Sequence, residues 1–487
     1  MFGGQPGSSL YLDEARWLLD VYRPLLTNFV AHMSAFLDTE SRDVQFALLF
    51  KEGLDVLQWL TQSESAPDAE YLVSAPVSMP LTGLVQLMQI MVLSKTLGVS
   101  PGQFSQLFKV AVGHSQGIAI ATALSMLSDD QSLYDVGVKI LGLLLLIGAL
   151  PQIQHPKYRV IDNNTDMTTQ QSVDATPRPM VYVRGLEKSA LETVLVEFND
   201  SQQSDSEQVH LAVVNSPDQF VVAGTVMSAA KLVSLLRSRS ADPSLDQSKV
   251  PFSQRKPVIT ASYVDITVPY HSNLLCLITH AIYNVAQEKG WVLDTQSMQL
   301  PVRACDDGHD ICSEENVTRY IIASICVLPV NWPRAIAAPD VTHIVDFGTG
   351  GFSGFGQLAF KNVEGRGIPV ICAGALLPQS TNSSLGTKAD LYQPKMVDVI
   401  TAPNWLAEYG PQLVRTAHDD KVHIDTRMRR VLGMPTVMVA GMTPTTVNEQ
   451  FVAAVNNAGY HAEIAGGGMH TEGEIVDKLQ TLSTSIG

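Results

Sequence analysis

Ala111-Val112-Gly113-His114-Ser115-Gln116-Gly117 places a serine at the centre of a G-x-S-x-G sequence, between the mostly apolar residues 108–112 and the Ala-rich residues 118–126. Read with its flanks, this is a strand that enters a helix through a very tight turn, a nucleophile elbow. Small residues two before and two after the serine let the chain double back and hold Oγ clear of its neighbours. The five residues alone recur by chance, and a glycine-flanked serine is often only a turn. The hydrophobic pattern on both sides is what singles out Ser115 as a nucleophile. The helix start behind it also offers N–H groups and a positive dipole end to a developing oxyanion.

The rest of the chain sets the frame. With 487 residues and 45% hydrophobic content, it is long enough for one large domain and a smaller one. A formal net charge of −16 argues against a polyanion-binding surface; the most basic stretch, residues 237–256, also contains acids. The five cysteines (Cys276, Cys305, Cys312, Cys326 and Cys372) are widely spaced with no C-x-x-C pair, so no zinc or redox centre is expected, and reduced thiols in a cytoplasmic protein are the simplest reading. Residues 1–10 carry no signal-peptide pattern. The most lipid-like run, residues 140–150, is too short to span a bilayer and reads as a buried helix, so no membrane partner is expected.

Periodicity predicts helices through residues 10–60 and 81–97, the elbow helix, and another at 131–150. Residues 156–178 are polar and read as a surface connection. The next segment predicts strand 180–183, helix 188–198, strands 210–215 and 220–223, helix 227–237 and strand 262–267. That β-α-β-β-α-β order is ferredoxin-like and reads as an insertion. The main domain resumes with helices 273–288 and 317–325 and strand 343–347, which enters Gly348-Thr-Gly350-Gly351-Phe-Ser-Gly354. This glycine pattern resembles a dinucleotide cradle, but no acidic residue closes a following strand and no βαβ unit is evident, so a tight connecting loop is preferred. The expected division is an α/β-hydrolase-like core at 1–175 and 267–380, a ferredoxin-like subdomain at 176–266, a linker at 381–430 and a β-α-β-α segment at 431–487.

A serine nucleophile needs a base, and twelve histidines are available. His114 sits inside the elbow and is expected to point away from Oγ. His280 and His343 lie on apolar elements, where a structural role is the commoner outcome. His271, in Val268-Pro-Tyr-His271-Ser272, falls where the subdomain rejoins the core, the kind of cleft where sites form.

Several ordered motifs carry a resemblance: Ser78-Met-Pro-Leu-Thr-Gly83-Leu-Val-Gln-Leu, Gly98-Val-Ser-Pro101-Gly, Gly113-His-Ser-Gln-Gly117, Phe2-Gly-Gly-Gln5, Val214-Asn215, Leu245-Asp-Gln-Ser248, Pro269-Tyr-His271-Ser272 and Asp346-Phe-Gly-Thr-Gly-Gly351. Over residues 1–430 the chain resembles the acetyltransferase domain of the fungal type I fatty acid synthase beta subunit. Ala440-Gly-Met-Thr-Pro444, Asn457-Ala-Gly-Tyr460 and Ala465-Gly-Gly-Gly468 resemble the start of that subunit's enoyl reductase, a TIM-type β/α barrel of which only two βα units are present. The resemblance also places residue 1 at the transferase's first strand, without the N-terminal extension such subunits carry.

The resemblance implies that Ser115 attacks an acyl-CoA thioester, that His271 is the base, and that the phosphopantetheine thiol of acyl carrier protein accepts the acyl group. It implies a backbone carbonyl behind His271, from the 325–326 stretch, so Asp346 is not a third triad member. The implied oxyanion donors are the backbone N–H groups of Gln5 and Gln116. Asn215 is a pocket residue or simply a turn residue. Ile147 aligns with the arginine that pairs malonate in malonyl-type transferases, and an apolar residue there suits acetyl or a longer saturated chain. Periodicity alone makes Ile147 core.

The implied transferase needs no cofactor; FMN and NADPH enter only with a complete reductase domain. The implied partners are acyl-CoA, acyl carrier protein and a synthase alpha subunit. Two other readings stay open: a serine hydrolase or thioesterase, and a catalytically silent piece of a synthase.

Overall fold

A computed structural model describes residues 1–157, 176–242, 244–350, 354–373, 398–415, 422–433 and 435–487. Most of the expected surface connection at 156–178, and the first part of the expected linker, lie outside the described residues. These form two compact bodies, Met1–Val363 with Ile368–Ala402, and Glu364–Gly367 with Pro403–Gly487.

The first body is organised by a mostly parallel sheet into which residues 1–3 are threaded. Phe2 N–H donates to Val112 O (3.0 Å) while Phe347 N–H donates to Met1 O (3.0 Å), so the N-terminal residues join two strand pairs. On one side Ala111–Val112 runs parallel to Val302–Arg303. On the other, Ile344–Asp346 runs parallel to Pro369–Cys372, with Asp398–Thr401 antiparallel at the edge. The helix Phe355–Val363 connects the two parallel strands, so the βαβ unit that the glycine-loop reading denied does exist. Its strands are short and its second begins at Pro369, which hid it from a periodicity search.

Two long helices, Ala75–Thr96 and Asp130–Gln154, support this sheet. They pack closely because Gly83 and Gly148 leave room: a Cβ on Gly83 would lie 2.7 Å from Leu144, and one on Gly148 would lie 2.5 Å from the carbonyl of Ala75. Leu143, Leu144, Leu145 and Leu146 are fully buried, each removing from water apolar area worth roughly 1.5–3 kcal/mol. The first helix starts six residues before its expected position, with Pro76 in its opening turn. Nearly all of it is buried, so it lacks the one-sided stripe that marks a surface helix. The second is 25 residues long and extends the expected 131–150 helix by one residue at its start and four at its end; Asp129 and Ser132 form a capping box at its start. Both helices are long and apolar enough to cross a bilayer, yet 94% and 72% of their most apolar windows are buried inside the protein. They are core helices.

The expected β-α-β-β-α-β unit is present as Met180–Arg184, Lys188–Asp200, His210–Ser216, Gln219–Ala223, Val226–Arg239 and Thr260–Tyr263. Its fourth strand pairs with its first, the first with the third and the third with the second, all antiparallel, which is the ferredoxin-like order. The short strand Val330–Asn331 of the core then adds parallel to His210–Ser216, so the sheet is shared with the core.

The second body corrects the linker expected at 381–430. Its described part holds strand Asp398–Thr401 in the first body, then helix Trp405–Tyr409, the antiparallel pair Gln412–Arg415 and Val422–Asp425, and helix Arg427–Leu432. Short, mostly exposed elements give no hydrophobic period to read. Further on, Met438–Val439 pairs parallel with His461–Ala462 across the helix Glu449–Asn457, and the helix Glu472–Ser485 follows.

Candidate active site

The elbow forms because nothing larger than glycine fits. A Cβ on Gly113 would lie 2.0 Å from the carbonyl carbon of Gly117, and one on Gly117 would lie 2.3 Å from Phe2 O. Ser115 itself takes φ +53°, a left-handed conformation that a non-glycine residue adopts only when its surroundings enforce it. Immediately after it begins the fully buried helix Gly117–Met126.

Ser115 Oγ lies 2.7 Å from His271 Nε2, although 156 residues separate them in sequence. His271 also has a positive φ, +57°, at the point where the chain leaves the subdomain. Its Nδ1 is 2.8 Å from Leu328 O. A carbonyl only accepts, so Nδ1 carries the proton and Nε2 presents its lone pair to the serine hydroxyl. The orienting carbonyl is therefore Leu328, not the expected 325–326 stretch. Ile325 O and Cys326 O instead accept the backbone N–H groups of His271 (3.3 Å) and Ser272 (3.1 Å). The cause lies at the end of helix Val317–Cys326: Val327 and Leu328 both donate back to Ala323 O, which turns the next carbonyl outward to the ring. Asp346 stands elsewhere, accepting the Gly348 N–H (3.0 Å). Burial lowers the His271 pKa to about 4 from its ordinary 6.5, against the opposing effect of the Leu328 bond, so the ring is neutral near pH 7.

The two expected oxyanion donors are anchored on neighbouring residues of one helix. The Gln5 side-chain amide donates to Ser78 Oγ (2.7 Å), and that of Gln116 to Met79 O (3.2 Å). Gly4 lies close enough to the nucleophile that a Cβ there would be 3.2 Å from the Ser115 Cβ. Among the described residues no acceptor takes the backbone N–H of Gln5 or Gln116. Gln86, about two turns further along the same helix, donates to Gly3 O (3.0 Å) and Gly348 O (2.7 Å), tying the N-terminal turn to the glycine loop. The loop is braced by Glu14, whose buried carboxylate accepts the Gly350 N–H (2.6 Å) and whose pKa burial raises to about 8.

Ser115 and His271 open into a cleft of about 500 Å³ between core and subdomain. Val213, Val221, Val264 and Ile266 form an apolar wall, and Gln5, His114 and Asn215 also line it. Asn215 Oδ1 accepts from His114 Nε2 (2.8 Å), so His114 is turned to Asn215 rather than to the serine. Ile147 is brought close but does not line the cleft. It is fully buried, and its carbonyl accepts the hydroxyl of the lining residue Tyr270 (2.9 Å). Matching motifs gave it a helical position but could not say which layer it occupies. The charge argument it carried rests instead on the cleft itself, where no arginine is found among the described lining residues and Lys361 is the single formal charge.

The sequence reading missed Leu328, Tyr270, Phe355 and Lys361, and took Thr349 and Gly350 for mere connection. A carbonyl has no side-chain signature. Lys361, a lone cation on the helix after a glycine loop, was the one visible signal.

A protein-family model described as starter unit:ACP transacylase in aflatoxin biosynthesis matches residues 1–257, more than half of the chain. The fatty acid synthase subunit beta of Schizosaccharomyces pombe is 35% identical over all of this chain and 23% of its own length. Fatty acid synthase beta subunit aflB of Emericella nidulans is 36% identical over 96% of this chain and 22% of its own length. The chain thus spans about a quarter of these relatives. Among solved structures, malonyl-CoA:acyl carrier protein transacylase of Xanthomonas oryzae aligns with TM-score 0.49 and 18% identity, covering 74% of this chain and 90% of that one.

Proposed function

The chain belongs to the starter unit:ACP transacylase family, and from that membership we propose that it loads a short saturated acyl group from CoA onto the phosphopantetheine thiol of an acyl carrier protein. The observation that carries the reading is the Ser115–His271 pair at 2.7 Å, facing a cleft with an apolar wall and no arginine among its described lining residues. His271 Nε2 takes the Ser115 proton as Oγ attacks the thioester carbonyl. The tetrahedral oxyanion is stabilised by the Gln5 and Gln116 N–H groups. Collapse breaks the C–S bond, His271 returns the proton to the departing CoA thiolate, and an acyl-serine remains. The carrier thiol then repeats the steps in reverse, giving a carrier thioester and free Ser115.

The assembled dyad supports a working enzyme over a silent assembly piece. A carbonyl rather than a carboxylate behind the histidine sets the site apart from Ser-His-Asp hydrolases. Its partners in this reading are a carrier protein and, by analogy with the beta-subunit relatives, a synthase alpha subunit. The β-α-β-α segment at the end of the chain reads as the opening of a β/α barrel, and FMN and NADPH belong to that barrel only when it is complete. Five widely spaced cysteines with no C-x-x-C pair support a cytoplasmic setting.

Intact-mass spectrometry after brief incubation with acetyl-CoA, hexanoyl-CoA and malonyl-CoA tests the proposal. Adducts of 42 and 98 Da are not needed to be equal; what is expected is that saturated donors exceed malonyl by roughly tenfold or more, because a malonyl carboxylate finds no bidentate partner in the cleft. Preferential malonyl loading contradicts the starter-unit reading.

A further inference from the structure

Lys361 sits in the last turn of helix Phe355–Val363 and is partly exposed. Gln357, one turn earlier, is exposed and lines the same cleft, as does Gln219 at the start of the strand opposite. These polar groups mark the mouth, whereas the dyad and the apolar wall lie deeper. A nearby acid, Asp218, is already engaged: it accepts from Ser216 Oγ (2.8 Å) and Arg184 Nε (3.3 Å). Among the described residues no carboxylate lies within ion-pairing distance of the Lys361 ammonium, although Asp218 feels its charge. Lys361 is the single formal charge among the described lining residues, in a chain of net charge −16, and is open to an anionic group of the ligand.

The geometry points to Lys361 as the residue that recognises the phosphate of the phosphopantetheine arm, fixing the thioester end over Ser115. This deepens the reading that the donor is an acyl-CoA and rests on it. Acyl-CoA and carrier-bound pantetheine share this phosphate, so one contact serves both half-reactions. Ammonium-to-phosphate hydrogen bonds are charge-assisted, and lysine acts as a point charge that accommodates a mobile arm.

The test compares half-saturation for loading Ser115 from acetyl-CoA and from the phosphate-free thioester acetyl-N-acetylcysteamine, in wild type, Lys361→Gln and Lys361→Arg. The inference expects Lys361→Gln to raise the acetyl-CoA value about tenfold relative to the phosphate-free value, with arginine restoring most of the difference. An unchanged ratio overturns it. So does loss of residual malonyl loading at an unchanged acetyl-CoA value, which would make Lys361 a partner for an acyl carboxylate. Loading of wild-type Ser115 from either donor upholds the parent reading whatever the ratio does; absence of loading from both removes that reading and this inference with it.

Discussion

Replacing Ser115 with alanine should abolish the acyl adduct and lower CoA-to-carrier acyl transfer by at least about 10⁴-fold, because the covalent route disappears with its nucleophile. The fold should survive. Among the described residues Ser115 Oγ bonds only to His271, and alanine differs from serine by that one atom. The strained φ of +53° belongs to the elbow, which Gly113 and Gly117 permit and the sheet enforces, so it persists in the variant. Thermal unfolding and intact mass on the same sample separate the two effects. A full adduct on the alanine variant would move the nucleophile elsewhere.

The second large effect is expected at His271. His271→Ala should slow acylation by roughly 10²–10⁴-fold, the usual worth of a positioned general base, while CoA binding, set by the cleft walls and its mouth, changes little. The wild-type pH profile supplies an independent check. A pKa lowered to about 4 by burial means the neutral, proton-accepting ring is present above that value, so acylation should stay level from about pH 5 to 7 and fall as pH drops through 4. A histidine at its ordinary value would instead lose activity through pH 6.5. A limb at 6.5 in wild type, or a low-pH limb that persists in the alanine variant, speaks against His271 as the base.

How much of this could be read from the residues depends on what each feature leaves in the sequence. The elbow was legible because sterics demand glycine at Gly113 and Gly117, and the antiparallel subdomain because short apolar, β-branched runs alternate with helical stretches in a recognisable order. His271 was singled out by its place at the subdomain exit, and the resemblance carried by Pro269-Tyr-His271-Ser272 gave it the role of base. The long helices were recognised but mis-bounded, since a helix buried on every side has no amphipathic edge to mark where it ends. The Leu328 carbonyl was invisible, and the expected acceptor lay two to three residues away, because a helix's last turn decides which carbonyl escapes. Ile147 failed for a related reason: alignment gives a helical position, while lining or backing a cleft depends on what packs in between, here Tyr270. The described part of the 381–430 region, read as linker, folds into elements too short and exposed to show a period.

The central claim, that an acyl group on Ser115 passes to a thiol in preference to water, is tested most directly by isolating the acetylated chain and following it by mass with and without a phosphopantetheinylated carrier protein. The account predicts that the adduct leaves Ser115 many times faster with the carrier present and reappears on the carrier as a thioester. Release of acetate at one rate in both samples would contradict it and identify the site as a hydrolase.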